Sequence, residues 1–461
     1  MSEEILELNH IDYTTPKILN PSKMTEKIDI PVNPNRYDEC VGGEQIPIIF
    51  NNLRPCCFID GSKSTLSLQI QVDIPPPVLS TDPAFIHFDI DRRYDSGATV
   101  LNVFSEAVHQ TSNNQILYRE NFINMMQTFR NFRISPEHRQ NLTMVGGSPP
   151  EISFAQIKYP IYPVNKPISF DIPFSLIAPF WNTAQLIPSE LLQNSSLFLK
   201  VASPLSFIKC LDINGNARAM PESVTISFMN IALRLHRTEL YDNIQSAIKS
   251  SQLEFSYLSN FNLLYTPTST NFVIPINLAA SKVSYVAIKF FRRFNNAFSS
   301  SIACSDIFQL TGGNSDDNSM GFSIQAKVGE MLVPKFKIDT AVQAYVETCD
   351  ALDRVPFKNT ENPDPLKIIN QLSSGTVPYN NYCFNDPVAP GTYLPGNSTG
   401  CFCIAINLEK YGGLSGLSTN ANRLLALHID GLTNYEDYEA YVQVQYMSNV
   451  SMVENNIIVS K

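Results

Sequence analysis

The chain has 461 residues, of which 44% are hydrophobic and only 16% charged, with a formal net charge of −10. That length exceeds what one core fills and suits two domains of about 200 residues each. No group of five or more Lys and Arg interrupts the acidic balance, so the electrostatic signature of a phosphate-binding surface is missing and sequence-specific nucleic-acid binding is not expected.

No apolar run reaches the roughly 20 residues that cross a bilayer, and the acidic start MSEEILELNHIDYTT lacks the basic and apolar regions of a signal peptide. A soluble, reducing compartment is expected. The nine cysteines, at 40, 56, 57, 210, 304, 349, 383, 401 and 403, fit it. Cys56 and Cys57 are adjacent and Cys401 and Cys403 straddle one residue, which is not the gap of a zinc knuckle, so they read as free thiols. The four Asn-x-Ser/Thr triplets, at Asn141, Asn194, Asn397 and Asn449, then occur by chance in a chain rich in Asn and Ser.

Residues 1–60 hold Pro16, Pro21, Pro31, Pro34, Pro47 and Pro55 with only short apolar pieces such as Ile46–Phe50. They read as an extended arm, without a core of its own, lying across its own domain or a neighbour. The first strong strand is TLSLQIQVD, where Leu66, Leu68, Ile70 and Val72 alternate with polar residues until the prolines at 75–77. Further strands are expected at 84–91 and 98–108. From Gln115 to Phe132 the spacing of Phe122, Met126, Phe129 and Phe132 predicts an amphipathic helix.

A loop at GGSPP, 146–150, leads to Ile168–Val201, around which the first half is organised. Ile168, Phe170 and Ile172 alternate as a strand; Pro179 and Pro188 allow only a short helix, starting at Ser189; Leu197, Leu199 and Val201 form the next strand. In Ser223–His236, Val224, Ile226 and Phe228 share a face while Ile231, Leu233 and Leu235 continue in the opposite phase. Such a slip near Asn230 is what a bulge in a long strand produces. A helical linker is expected over 237–255, with Leu240, Ile244 and Ile248 on one side.

The second half repeats this style. Val286, Ile288 and Phe290 alternate, as do Phe322, Ile324, Ala326 and Val328. Residues 339–354 switch to helical spacing, with Asp339 or Thr340 as cap and Val342, Tyr345, Val346 and Cys349 facing inward. A polar, Pro-rich and Asn-rich passage over 356–400 reads as a surface loop long enough to be functional. Three alternating segments close the chain, carried by Phe402–Ile406, Leu425–Ile429 and Val442–Tyr446.

Many short strands with one or two helices lodged in their connections describe an all-β chain of two consecutive antiparallel sandwiches. No fixed period of about 40–50 residues supports a propeller. In its order and residues, Ile168–Val201 resembles the "strand, I-P-L, apolar helix, L-I-P, strand" passage in the first barrel of double jelly-roll major capsid proteins of polinton-like viruses and virophages. Residues 322–352 are similar to a second-barrel segment of that family, as are NFVIPINLAASKVSYVAIKFF and FCIAINLEKYGGLSGLSTNANRLLALHI.

The resemblance implies two eight-stranded jelly rolls, over 61–236 and 256–461, the latter with a short C-terminal tail. It implies a structural major capsid protein of the virion, assembled in the host cytoplasm or nucleus. Homotrimers would form pseudo-hexagonal capsomers that tile an icosahedral shell and contact neighbouring capsomers, penton proteins and minor capsid proteins. The trimer contact would bury at least about 2,000 Å² per pair. The competing readings are a minor vertex protein of the same virion and a two-sandwich glycan-binding or glycan-processing protein.

No catalytic, cofactor-binding or metal residue is expected. The best enzymatic candidate is FDIDRRYD, where Asp89 and Asp91 share a strand face near Arg92 and Arg93, an arrangement that a charged strand end also explains. The glycine loops at 311–315 and 412–416 have neither a Walker lysine nor a dinucleotide-fold helix and read as turns. His10, His87, His109, His138, His236 and His428 never fall at metal-binding spacing. Trp181, the only tryptophan, lies inside an apolar stretch rather than where a sugar would stack.

Overall fold

Alternation becomes burial along β3 (Cys57–Asp73): Leu66, Leu68, Ile70 and Val72 are buried, and each stands in register with an apolar residue of at least one flanking strand. Leu66 lies opposite Leu233 on β13 (Thr225–Glu239) and opposite Ile172 on β8 (Ile168–Pro173). The computed structural model describes residues 22–29, 43–51, 53, 57–75, 82–88, 100–126, 129, 162–183, 186–213, 217–218, 221, 224–239, 253–292, 319–352, 404–412, 417–419, 423–433, 435–453 and 456–460.

The first half forms two main sheets. One has the order β1-β13-β3-β8, where β1 is Ser22–Asp29, with β9 (Ile187–Pro188) also pairing β3. The other has the order β2-β10-β5-β6, formed by Gln45–Ile49, Ser196–Val201, Phe104–Gln110 and Ile116–Asn121 respectively. A third, smaller sheet is drawn from the connections: β12-β11-β4-β7, formed by Ala217–Arg218, Ile208–Leu211, Phe85–Phe88 and Tyr162–Pro163.

The second half has the order β14-β21-β16-β19 in one sheet (Leu253–Tyr265, Tyr438–Val453, Val283–Arg292, Ile404–Asn407) and β15-β20-β17-β18 in the other (Phe272–Ile276, Leu425–Asp430, Ser319–Val328, Met331–Thr340). A last strand, β22 (Asn456–Ser460), pairs β21. Each half therefore holds more strands than eight, but eight in each share one connectivity. Numbered in chain order (β1, β2, β3, β5, β6, β8, β10 and β13 in the first half, β14 to β21 in the second), they give sheets 1-8-3-6 and 2-7-4-5 in both. Every pairing is antiparallel, as a jelly roll requires.

The connection between β8 and β10 packs three single-turn helices against β3: α1 (Phe174–Ile177), α2 (Phe180–Thr183) and α3 (Ser189–Leu192), the last starting where the sequence places it. Trp181 on α2 is buried, stacks on Phe174 at 4.4 Å between ring centroids, and donates from Nε1 to the Tyr118 hydroxyl at 2.8 Å. Its carbonyl oxygen presses on β3 at Gly61, where a Cβ would lie 2.5 Å away. The slip expected near Asn230 is also present: the register of β13 against β3 shifts between Met229 and Ala232, and Asn230 has φ 51°. The last short helix of this half, α4 (Pro204–Phe207), leads into the small sheet.

Several expectations are corrected. Within the stretch read as an arm, β1 and β2 are the first strands of the two main sheets; β1 holds only Met24 and Ile28 as large apolar residues, and its place comes from pairing with β13 along the whole of its length. The helix expected over 115–132 gives way at 116–121 to β6, which pairs β5; the helical spacing survives only beyond it, where Met126 N donates to the Phe122 carbonyl at 2.9 Å. Of the expected helical linker, residues 237–239 extend β13 and 253–255 begin β14; 240–252 lie outside the described residues. The helix expected over 339–354 is α5 (Ala341–Ala351), capped by Thr340, whose Oγ1 accepts from Gln343 N at 3.3 Å. It buries Ala344, Thr348 and Cys349, while Val342 and Val346 are half-buried. The loop at 356–400 lies outside the described residues.

Candidate functional site

The two barrels meet where the edge strand of one lies against the outer face of a sheet of the other. Strand β6 ends the second sheet of the first barrel, and β14, which ends a sheet of the second, runs beside it. An edge strand has unpaired backbone groups, and side chains of β14 satisfy them: Tyr257 Oη donates to the Leu117 carbonyl, and Asn262 Nδ2 donates to the Asn121 carbonyl at 2.8 Å.

A buried carboxylate joins this seam. Glu120 Oε2 accepts from Asn260 Nδ2 at 3.2 Å and from Asn262 Nδ2 at 3.1 Å. Behind the two asparagines, Gln445 Nε2 donates to Asn260 Oδ1 and Gln443 Nε2 to Asn262 Oδ1, and Tyr285 Oη donates to Gln443 Oε1 at 2.9 Å. All these side chains are buried, so each bond stands in place of a lost contact with water. Aromatic contacts flank the network: Phe180 meets Tyr257 edge-on at 4.9 Å, and Phe122 meets Tyr441 edge-on at 5.5 Å. Burial pushes the Tyr257 and Tyr446 phenols well above their ordinary range, so both stay neutral.

The polar face of the seam is the back of a sheet whose front is the second core. Phe261, Leu263, Val442, Val444, Val286 and Ile288 point into that core, while Asn260, Asn262, Gln443, Gln445 and Tyr285 point at the first barrel. Sequence reasoning alone takes such alternation as one wet face and one dry face. The available signal was the pairing of two amide-rich strands, NFN at 260–262 and QVQ at 443–445, which lie opposite one another in register.

One further group of ionisable side chains joins α5 to α6 (Glu409–Gly412). Lys410 Nζ sits 2.6 Å from Asp350 Oδ2, which also accepts from Asn407 Nδ2 at 2.8 Å, while Asn407 Oδ1 caps α6 by accepting from Glu409 N at 2.9 Å. Burial raises the pKa of Glu347 against the opposing pull of Lys410. The group clamps two helices.

The structure describes only some of the residues singled out as chemical candidates. Asp89, Asp91, Arg92 and Arg93, the loop at 311–315, His10 and His138 lie outside the described residues, as does all of the loop at 412–416 except Gly412, the last residue of α6. His87 and His428 lie on β4 and β20, and His236 on β13. His109 is buried between Phe50 and Trp181, with Nε2 2.8 Å from Ser195 Oγ, and desolvation pulls its pKa down to about 3. Among the described residues no group of three or more His, Cys, Asp and Glu could hold a metal ion, and Cys57, Cys210 and Cys349 are buried. No described helix is long and apolar enough to cross a membrane.

No protein-family model and no curated protein matches the chain. Solved structures do. A chain of the Sputnik virophage, determined by cryo-EM, is 11% identical, with a TM-score of 0.53 over 100% of this chain and 92% of that one. The Faustovirus major capsid protein is 8% identical, with a TM-score of 0.56 over 99% of this chain and 94% of that one. A chain of the PBCV-1 virus capsid is 10% identical, with a TM-score of 0.55 over 97% of this chain and 99% of that one. At these identities the likeness is one of fold: the chain is a double jelly roll of the kind seen in viral major capsid proteins.

Proposed function

We propose that the chain is a structural protein of a virion, the repeating tile of its shell. Its two barrels, taken as 22–239 and 253–460, would act as near-equivalent corners of one rigid unit. Three chains would give a homotrimer with six such corners and a pseudo-hexagonal outline, able to tile the facets of an icosahedral capsid and to contact neighbouring capsomers, penton proteins and minor capsid proteins. The observation that carries this reading is the identical 1-8-3-6 and 2-7-4-5 connectivity of the two halves, joined by a buried seam. Catalysis, cofactors and metal ions have no part in it, and the chain would work in the virion.

A glycan-binding role draws no support from Trp181, whose ring is wholly buried and whose Nε1 is committed to Tyr118. Copy number tests the reading against a minor vertex protein. Protein from purified particles, separated on a denaturing gel, should be dominated by a band at 51.6 kDa; a trace band at that mass would overturn the tile assignment.

A further inference from the structure

A sandwich has sheet edges, and their outward N–H and C=O groups invite a strand from another chain. Several edges here are covered or charged. Strand β6 lies against β14, and on β19 the N–H of Ala405 donates to Thr348 Oγ1 of α5 at 3.0 Å. Strand β1 carries Lys23, Glu26, Lys27 and Asp29, and β18 carries Lys335, Lys337 and Asp339. Strands β2 and β15 have neither guard. Each ends a sheet and, among the described residues, pairs a single strand, β10 and β20 respectively. No charged residue occurs in 45–53 or in 266–281. Gln45–Phe50 and Asn271–Ile276 are uncharged six-residue runs rich in Ile, the composition that stacks into cross-β assemblies when no proline interrupts it.

Each run holds one proline, in the same triplet: Ile46-Pro47-Ile48 and Ile274-Pro275-Ile276. The phase of the backbone bonds shows which way each proline nitrogen points. In β2, Phe50 N donates to the Ser195 carbonyl at 2.9 Å, the Phe50 carbonyl accepts from Asn194 N at 2.8 Å, and the Glu44 carbonyl accepts from Val201 N at 2.9 Å. Even-numbered residues therefore bond toward β10, and Gln45, Pro47 and Ile49 turn their backbone groups outward. In β15 the Thr270 carbonyl accepts from Gly431 N at 3.1 Å, and the register against β20 runs to Ile276 without a shift, which turns Val273 and Pro275 outward. A residue with no N–H thus stands where the edge would offer a donor, at no cost to the ladder on the inner side. Buried Ile46, Ile48, Ile274 and Ile276 keep both strands anchored.

We propose that Pro47 and Pro275 are edge blocks: they close the two uncharged edges to addition of a strand from a second copy or from any other extended peptide. The block is a property of the folded chain by itself and stands or falls apart from the tile reading. It matters most for a protein made in many copies, where an open apolar edge meets its own kind at high concentration.

The test uses the full-length protein carrying Pro47→Val, Pro275→Val or both, beside Pro47→Lys and Pro275→Lys. Valine returns the outward N–H to an uncharged edge; lysine returns it together with a charge of the kind that guards β1 and β18. Each valine should lower by about fivefold the protein concentration at which sedimentable, thioflavin-binding assemblies form, the effect of one added hydrogen bond. The lysine variants should keep the parent's threshold. Urea unfolding midpoints of the same samples separate an opened edge from a lost fold, and the valine variants should unfold with the parent. A double valine variant with the parent's threshold, lysine variants that assemble as readily as the valine ones, or assembly confined to variants whose midpoint has fallen would each overturn the proposal.

Discussion

Glu120 of the first barrel and Asn262 of the second share a hydrogen bond of 3.1 Å in a seam closed to water. Asn262 spends its amide on both sides of that seam, donating to Glu120 and to the Asn121 carbonyl and accepting from Gln443. Asn262→Leu keeps the branched outline but removes all three hydrogen bonds. A loss of about 3 kcal/mol is expected from the unmade bonds, read as a lower midpoint in urea unfolding; a change under about 0.5 kcal/mol would show that the seam is held by packing alone.

At Gly61 the limit is space. A methyl group there would lie 2.5 Å from the Trp181 carbonyl and 3.1 Å from Ile187 Cδ1. Backbone cannot yield as a side-chain tip does, so Gly61→Ala should cost about 1–3 kcal/mol, measured by thermal unfolding, with Gly61→Val worse.

The Trp181 to Tyr118 hydrogen bond is separable from ring packing by a double-mutant cycle. Trp181→Phe and Tyr118→Phe each remove one partner of a buried pair. The double variant should be less destabilised than the two single changes summed, with a coupling of about 0.5–1.5 kcal/mol; strict additivity would mean that the bond contributes nothing.

His109 gives the first barrel an acid limit. Its pKa falls from an ordinary 6.5 to about 3 because burial disfavours the cation. Between those two values the unfolded chain binds a proton that the folded chain does not, so stability is full above pH 6.5 and falls as the pH drops toward 3. The slope reaches about 1.4 kcal/mol per pH unit. His109→Phe should flatten that slope in urea titrations at pH 4.5 and 7, even though it gives up the Ser195 contact.

What the sequence made legible was alternation. Leu66 to Val72 and Leu425 to Ile429 bury the residues their spacing marks, as do Phe170 and Ile172 after a half-buried Ile168, and even the phase slip at Asn230 was readable. Strand β1 was not, because its position is set by register against Thr238 and its neighbours, more than 200 residues away in the chain, and proline content pointed to an arm. The first strand turn of β6 was hidden by helical spacing that starts only at Phe122. The seam was the hardest to see: Asn260, Asn262, Gln443 and Gln445 look like a solvent face until Glu120 is placed opposite them.

Native mass measurement of the purified full-length protein, followed by negative-stain imaging of the same sample, tests the tile most directly. A particle of three 51.6 kDa chains appearing as a six-cornered plate is the expected result. A stable monomer at micromolar concentration, or a trimer with three well-separated lobes and no hexagonal outline, would contradict it.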